Sequence, residues 1–286
     1  MAFDLIKKIF TGGEWGIAYK EKDNDAFHLI DLPKGVWAAD PMLFQYRNTH
    51  YLFAEVYVKK EKKAGIGYFV FEDGVPIFKG IVIESNYHMS YPCVFEFDGA
   101  LYMIPETSAN RTIELYKATR FPDEWVKESV LLTDCNYVDS TVYSLDGTLN
   151  MLTYGKIKTG WVLKRYKLDL RNKALFENES KTFETNTGRP AGYLIKQSNY
   201  FIRPAQDCSK KYGEKILFYK INSFEPLSEE MISKKGVSDI VLPIKAQRIH
   251  TYNEDDTFCV VDFFIEKFEL FHAYEVFKRS HSFKRK

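Results

Sequence analysis

The sequence predicts an all-β fold, a five-bladed β-propeller with about four strands per blade. The first observation is composition: 16% of the 286 residues are aromatic, with 19 Tyr and 23 Phe. Such side chains favour strands, because flat rings pack well on a pleated surface. The second is a strand–turn–strand pattern that occurs five times along the chain. The third is its period of roughly 50 residues, which is typical of propeller blades.

The repeat is clearest in its first two copies. WAADPMLFQYRNTHYLFAEVY opens with Asp40 before a proline and closes with Glu55, whereas SYPCVFEFDGALYMIPETS opens with Tyr91 before a proline and closes with Glu106. In both copies fifteen residues separate the opening and closing positions. A strand of about seven residues, a turn and a return of about six bring the chain back to its starting face. We therefore expect all four side chains at one mouth of the channel.

Three further copies follow, each with a polar turn in the middle. Their opening and closing residues are Asp139 and Tyr154, Arg189 and Arg203, and His250 and Asp262. The opening positions are 51, 48, 50 and 61 residues apart. We predict one propeller domain over residues 1–286, with blades that start near positions 37, 88, 136, 187 and 248. The run EWGIAYKE offers a strand that would close the ring on the last blade. Unrelated hairpins in a β-sandwich are the alternative.

Charge and terminal sequence restrict the function classes. The net charge is +1, so no bulk attraction to nucleic acid is expected. MAFDLIKKIF interrupts its apolar residues with Asp and Lys, which is unlike a signal peptide, and no run of about 18 apolar residues exists. We expect a cytoplasmic protein. The spacing of the four cysteines fits no zinc motif, which favours free, buried thiols.

The ring of polar residues at one mouth predicts a functional site. A single member could instead hold blade to blade by hydrogen bonds. Several carboxylates that converge with Arg and His are costly to bury, however, and such clusters concentrate at sites. Aromatic-rich clefts also suit sugars, whose C–H faces lie against rings. We expect a saccharide or a sugar phosphate to bind there, with contacts from Trp37, Glu55, Tyr91, Arg189, Arg203, Asp207 and His250.

Four segments carry a resemblance to a known family. WAADPMLF, SYPCVFEFDGALYMIPETSANRTIELYKA, VDSTVY and RPAQDCSKKYG resemble the five-bladed domain at the N-terminus of plant glucosamine inositolphosphorylceramide transferases and its bacterial homologues. The resemblance covers roughly residues 33–264, and MIPETSANRTIELY is its longest motif. That domain is similar in architecture to glycoside hydrolase family 43, whose members carry a general base at the start of blade one. A second Asp, in blade three, tunes a Glu acid in blade four.

The resemblance transfers two of these three roles. Asp40 and Asp139 match the base and the tuning residue by position, but blade four opens with Arg189 and not with Glu. From the residues themselves, Asp40 is the candidate base or nucleophile, Asp139 a tuning residue and Glu106 the candidate acid. Asp207 is another source of an acid.

The arginines of blade four point to an anionic ligand. Arg189 and Arg203, with the lysine pair at positions 210 and 211, suit a phosphate or a carboxylate. The structural alternative is a tie between blades, for instance from Arg203 to Asp207. No metal-binding motif is present, so no metal or cofactor is predicted, although a Ca²⁺ ion in the channel stays open.

Three functions remain in view. The first is a glycosyltransferase, or a related sugar-processing enzyme, in surface-glycan biosynthesis. The second is a glycoside hydrolase acting on small saccharides, and the third is a non-catalytic sugar-binding module. The last nine residues, KRSHSFKRK, hold five basic residues and no acid. They would allow peripheral contact with the inner face of a membrane. Sugar identity and oligomeric state are not encoded in any motif.

Overall fold

The computed structural model describes residues 11–268, which form five antiparallel sheets that are the blades of a propeller. Each blade is built around one strand–turn–strand unit of the sequence repeat. The strands of blade I, in spatial order from the channel outward, are β3 (Val36–Tyr46), β4 (Thr49–Val58), β5 (Lys63–Glu72) and β6 (Val75–Ile83). Blade II contains β7 (Ser90–Phe97), β8 (Ala100–Thr107), β9 (Thr112–Arg120) and β10 (Glu124–Leu132).

The next two blades follow the same order. Blade III contains β11 (Val138–Leu145), β12 (Thr148–Ile157), β13 (Gly160–Asp169) and β14 (Ala174–Phe183). Blade IV contains β15 (Arg189–Pro190), β16 (Ile195–Lys196), β17 (Phe201–Asp207), β18 (Lys215–Phe224) and β19 (Leu227–Lys235). The short strands β15 and β16 both pair with β17, so the inner edge of this blade is interrupted.

Blade V joins the two ends of the described chain. It contains β20 (Tyr252–Glu254), β21 (Phe258–Phe268), β1 (Thr11–Glu21) and β2 (His28–Leu29). Strand β1 pairs with β21 along its whole length, from Thr11 opposite Phe268 to Glu21 opposite Phe258. The predicted five-bladed fold is confirmed, and the strand that contains EWGIAYKE closes the ring.

The apolar core lies between the blades. Each of the five interfaces between neighbouring blades has its own cluster of buried side chains in residues 11–268. Between blades I and II, for example, Phe53 and Ile66 pack against Val94 and Met103. Alternate residues of a strand point to opposite faces, so both faces of the inner strands are apolar. The polar residues of the repeat are consequently displaced to the strand ends at the mouth.

Two short 3₁₀ helices, Ser108–Asn110 and Val237–Asp239, complete the regular structure. No helix in residues 11–268 is long and apolar enough to cross a bilayer. The four cysteines are free, and Cys93, Cys135 and Cys259 are buried. The basic segment at the C-terminal end lies outside the described residues.

Candidate active site

Three opening residues of the repeat occupy the same unusual backbone conformation. Asp40, Tyr91 and Asp139 have φ angles of 50°, 44° and 52°. Each lies in a β-bulge, where the pairing of the two inner strands shifts register. A positive φ at a residue with a side chain costs roughly 1–3 kcal/mol and persists only where the surroundings hold it. The repeat is therefore a repeat of a strained bulge at the mouth, not of a strand pattern alone.

Asp40 is fixed by the last blade. The Thr251 hydroxyl donates to Asp40 Oδ1 at 2.9 Å, and the backbone N–H of Asp40 donates to Asp262 Oδ2 at 3.1 Å. His250 lies between the two carboxylates, with Nε2 3.3 Å from Asp40 Oδ1 and Nδ1 2.6 Å from Asp262 Oδ2. Burial alone would lower the pKa of His250, but Asp262 and Asp40 outweigh it and raise that pKa. The ring of His250 therefore bridges blades I and V beneath the mouth, and the two carboxylates favour its protonated form.

Asp40, His250 and Asp262 each offer one possible metal-ligating atom, and these atoms lie within 4.8 Å of one another. This spacing would suit a cation. His250 already supplies the positive charge between the two carboxylates, so the residues satisfy one another as they stand. The channel Ca²⁺ ion considered from the sequence stays untested.

Arg189 joins two other blades. Its Nη2 lies 3.1 Å from Asp139 Oδ1 and 3.4 Å from Glu106 Oε2, and its Nε donates to Asp139 Oδ2. Gln206 donates to the same oxygen of Asp139 at 2.8 Å. The Ser108 hydroxyl donates to Glu106 Oε1 at 2.6 Å. Burial raises the pKa of Asp139 to about 7, although the Arg189 charge opposes the change.

The remaining carboxyl group of the mouth is the most perturbed. Burial raises the pKa of Glu55 well above its ordinary value, and the nearby Asp40 and Glu106 carboxylates raise it further. Burial likewise raises the pKa of Asp40, with partial compensation from His250. Such mutual shifts show that carboxyl groups from blades I, II, III and V form one electrostatic cluster. Burial and mutual repulsion thus both favour the protonated form of these carboxyl groups.

An aromatic wall stands beside the cluster. The ring of Trp15, on β1, lies 4.0 Å from the His250 ring at an interplanar angle of 31°. Tyr212 approaches His250 edge-on at 5.0 Å, and the Arg189 guanidinium lies 5.2 Å from the Tyr212 ring centre. Gly213 lets this loop come close, because a Cβ there would lie 2.8 Å from the Cβ of His250. Its φ of 66° also suits glycine.

Other predicted ligand contacts have structural partners. Tyr91 is fully buried, and its hydroxyl contacts Thr141 at 2.8 Å and accepts from the Gly192 N–H at 2.7 Å. We had expected Tyr91 to contact a ligand, but its hydroxyl instead links blade II to Thr141 of blade III and Gly192 of blade IV. Trp37 stacks on Tyr57, with ring centres 4.8 Å apart.

The prediction for Arg203 also requires correction. Its guanidinium is buried and forms two hydrogen bonds with Glu229, of 2.8 and 2.7 Å, which leaves it bound within blade IV. The partner is therefore Glu229 and not Asp207. Asp207 instead accepts from the N–H and hydroxyl of Ser209 at 3.0 and 2.6 Å, which shapes the loop that carries Tyr212.

Strand register explains the error. Glu55 pairs with Ala39 and Glu106 with Ser90, and the residue that pairs with Arg189 is Gln206. The closing residue of the fourth copy is thus Gln206, three positions beyond Arg203. The inner edge of blade IV includes the extra segment between β15 and β16, so the fifteen-residue spacing does not apply there. His88, Trp15 and Tyr212 were missed as well, because they lie outside the repeat.

Comparison with known proteins identifies the family. Residues 32–236 match the model for "Glucosamine inositolphosphorylceramide transferase 1, N-terminal". The chain belongs to this family. A relative of that name from Oryza sativa subsp. indica is 30% identical over 209 residues, 68% of this chain and 27% of the relative. The Arabidopsis thaliana relative is 28% identical over 250 residues, 82% of this chain and 31% of its own length. The chain thus spans less than a third of these curated relatives.

Solved structures share the fold. The catalytic domain of a Coprinopsis cinerea family 62 α-L-arabinofuranosidase superposes with a TM-score of 0.61 at 12% identity, covering 83% of both chains. A β-xylosidase gives a TM-score of 0.60 at 12% identity, over 81% of this chain and 92% of that one. A Bacillus subtilis arabinanase gives 0.57 at 11% identity, over 85% and 96% of the two chains. At these identities the likeness establishes the architecture alone.

Proposed function

We propose that this family member is a carbohydrate-active enzyme that transfers a glycosyl group at the mouth of the propeller, in the biosynthesis of a surface glycan. One observation carries the proposal. Five carboxyl groups converge there with an arginine and two histidines beside the aromatic wall of Trp15 and Tyr212. Two further observations support it: the relatives carry the name "Glucosamine inositolphosphorylceramide transferase 1", and the structural neighbours are named as an α-L-arabinofuranosidase and a β-xylosidase.

The acidic cluster suits the chemistry of the anomeric carbon. Glycosyl transfer and hydrolysis both pass through a transition state with positive charge on the sugar ring, which carboxylates stabilise. Asp40 is the base or nucleophile in this proposal. Its carboxylate is oriented by Thr251, and the adjacent His250 charge favours its ionised form. Burial keeps competing water away, which strengthens each of these interactions.

Arg189 gives the site a preference for an anionic group on the donor. Its Nε and Nη2 are directed at Asp139 and Glu106, and its Nη1 has no protein hydrogen-bond partner in residues 11–268. The side chain is partly exposed at the mouth. A phosphate or carboxylate could accept from this remaining edge. A sugar phosphate would then place its sugar over the cluster and its phosphate against Arg189.

A non-catalytic saccharide-binding module is the second candidate. The observation that favours it is the engagement of Asp139 and Glu106 by Arg189, at the blade where the resemblance implies a Glu acid. A hydrolase is the third candidate and meets the same difficulty. We further propose that the protein works in the cytoplasm, on an acceptor at the membrane surface. The basic segment that would reach the membrane lies outside residues 11–268.

Titration with a panel of saccharides and sugar phosphates tests the proposal, with tryptophan fluorescence as the readout. Trp15 contacts the site, so binding should change the emission of the wild type and not that of Trp15→Phe. Trp125→Phe is the matched control, because Trp125 packs against Phe53 and Phe121 between blades I and II. Turnover of a bound donor separates the enzyme from the binding module. Saturable binding without turnover of any donor would favour the module, and no binding at all would contradict both.

A further inference from the structure

His88 lies at the rim of the mouth, on the loop of residues 84–89 that connects blade I to blade II. Its Nε2 is 3.2 Å from Glu55 Oε1, and its side chain is 47% exposed, whereas that of Glu55 is 8% exposed. Within residues 11–268, Glu55 is the only carboxylate at ion-pair distance from this imidazole. One ring nitrogen thus faces the buried cluster, and Nδ1 is left for a bound molecule.

The loop is held in place by the residue next to His88. Tyr87 donates to Glu114 Oε2 at 2.7 Å, and the fully buried Glu114 also accepts from Tyr116 at 2.9 Å and pairs with Lys127 at 2.9 Å. The Ser85 hydroxyl donates to the Tyr87 carbonyl at 2.5 Å. These contacts have no part in the mouth cluster. They fix the backbone from which the imidazole of His88 extends over Glu55.

The pKa values of Glu55 and His88 are shifted in opposite directions. Burial and the neighbouring carboxylates Asp40 and Glu106 raise the pKa of Glu55 well above its ordinary value. Burial lowers the pKa of His88, although the charge of Asp40 opposes this change. The titratable groups that face His88 are therefore Glu55, on β4, at ion-pair distance, and Asp40, on β3, which acts through its charge. These two directions favour a protonated Glu55 carboxyl beside a neutral His88 imidazole.

We propose that His88 and Glu55 act as a pair that carries a proton from the buried cluster to the leaving-group oxygen of a saccharide bound at the mouth. The inference rests on the proposed function and supplies the acid that it lacks, because both oxygens of Glu106 already accept from Arg189 and Ser108. Distances of 2.6–3.2 Å permit direct proton transfer, and catalytic contacts often tighten when substrate binds.

Two protons move along the pair as the glycosidic bond breaks. The Nδ1–H of His88 gives its proton to the glycosidic oxygen, while Nε2 takes the proton of the Glu55 carboxyl. The bond between that oxygen and the anomeric carbon breaks, and its electron pair stays with the departing oxygen. The acceptor oxygen forms the new bond to the anomeric carbon while its proton passes to Asp40. Glu55 is left as a carboxylate, and His88 remains neutral with its proton on Nε2. Where Asp40 itself forms the first bond, the acceptor displaces it in a second step and gives its proton back to the His88–Glu55 pair.

Histidine ¹⁵N NMR tests the pair without a substrate. The wild-type signals that disappear in His88→Asn belong to His88. At pH 7 their chemical shifts should be those of a neutral imidazole protonated on Nδ1. Because interacting groups titrate together, His88 should titrate in two coupled steps in the wild type and in a single step in Glu55→Gln. An imidazolium at pH 7, or the same titration curve in Glu55→Gln, would overturn the pair.

Aryl glycosides test delivery of the proton. With a phenyl glycoside, a poor leaving group, His88→Asn should lose at least about a hundredfold in turnover. With the dinitrophenyl glycoside of the same sugar the loss should be under about tenfold, since that group departs without a proton. His50→Asn is the matched control, because His50 pairs with Asp255 at 3.1 Å and lies about 17 Å from Glu55 along β4.

The outcomes separate the two proposals. Equal activity of His88→Asn and the wild type on both glycosides would overturn the proton pair and leave the proposed function standing. A wild type that is inert on every glycoside would instead overturn the transfer function, and with it the delivery step. An equal loss on both leaving groups would also count against a proton donor, because it indicates a role in binding.

Discussion

Two arginines of blade IV, Arg189 and Arg203, occupy opposite kinds of environment although each precedes a proline on the same hairpin. Arg189 lies at the mouth, partly exposed, where it joins Asp139 of blade III and Glu106 of blade II. Arg203 is buried and engages both oxygens of Glu229, which Lys181 of blade III also contacts at 3.1 Å. The first pairing leaves a guanidinium edge for a ligand, and the second leaves none.

The two environments differ in whether the charge of the arginine compensates for the burial of its carboxylate partner. At Glu229, burial would raise the pKa, but Arg203 and Lys181 overcome it and lower that pKa, so all three groups stay charged and satisfied. At Asp139 the single Arg189 does not overcome burial, and the pKa is raised. A buried pair whose charges are fully compensated indicates a structural role. An incompletely compensated cluster at a mouth indicates a site.

The largest effect should follow from breaking the satisfied pair. Arg203→Ala leaves the buried Glu229 without its main partner, so the free energy of unfolding should fall by about 3–5 kcal/mol. Denaturant titration measures it. The double variant Arg203→Met/Glu229→Met removes both charges and should be less destabilised than the single variant. A single variant as stable as the wild type would refute the structural role of Arg203.

The incompletely compensated cluster should appear in the pH dependence of stability. Asp139 has a pKa of about 7 in the fold against an ordinary value of 3.8. Between these values the folded state binds more protons than the unfolded state, so this contribution is greatest below about pH 4 and is lost as pH rises to about 7. Asp139→Asn should remove this pH-dependent loss of stability, which is about 4 kcal/mol. Parallel pH curves for the two proteins would contradict the raised pKa.

Asp40→Asn tests whether the mouth performs chemistry. Turnover of a donor should fall at least about a hundredfold, or ~2.7 kcal/mol, because the positioned carboxylate is lost. Asn tolerates the positive φ of this position, so the fold should survive. Asp98→Asn is the matched control, since Asp98 has a φ of 48° in an exposed turn. An Asp40→Asn protein that unfolds would identify the carboxylate as a tie between blades I and V.

The smallest effect concerns the loop that carries His88. Tyr87→Phe removes the hydrogen bonds to Glu114 and should lower the free energy of unfolding by about 1 kcal/mol. Tyr200→Phe, at an exposed position, should change it by less than about 0.5 kcal/mol. Equal values for the two variants would show that Tyr87 does not anchor the loop.

The sequence by itself determined the blade count and the identity of most mouth carboxylates. A hairpin is a local structure, so a spacing of fifteen residues is enough to place Asp40 with Glu55 and Glu106 beside the opening of its own blade. The closing strand could also be predicted. The N-terminal run EWGIAYKE has no strand partner in the repeat pattern, and pairing with the last blade would leave no exposed edge. These conclusions require only strand period and turn positions.

The tertiary structure alone decided which charges meet. Gln206 replaces Arg203 at the mouth because blade IV has a longer inner segment, which shifts its register. Asp40 meets His250 only because the ring closes blade V against blade I. His88 and Tyr212 come from loops that no repeat constrains. Contacts between blades depend on how the sheets pack around the channel, and this packing joins residues up to 222 positions apart, beyond the reach of any local pattern.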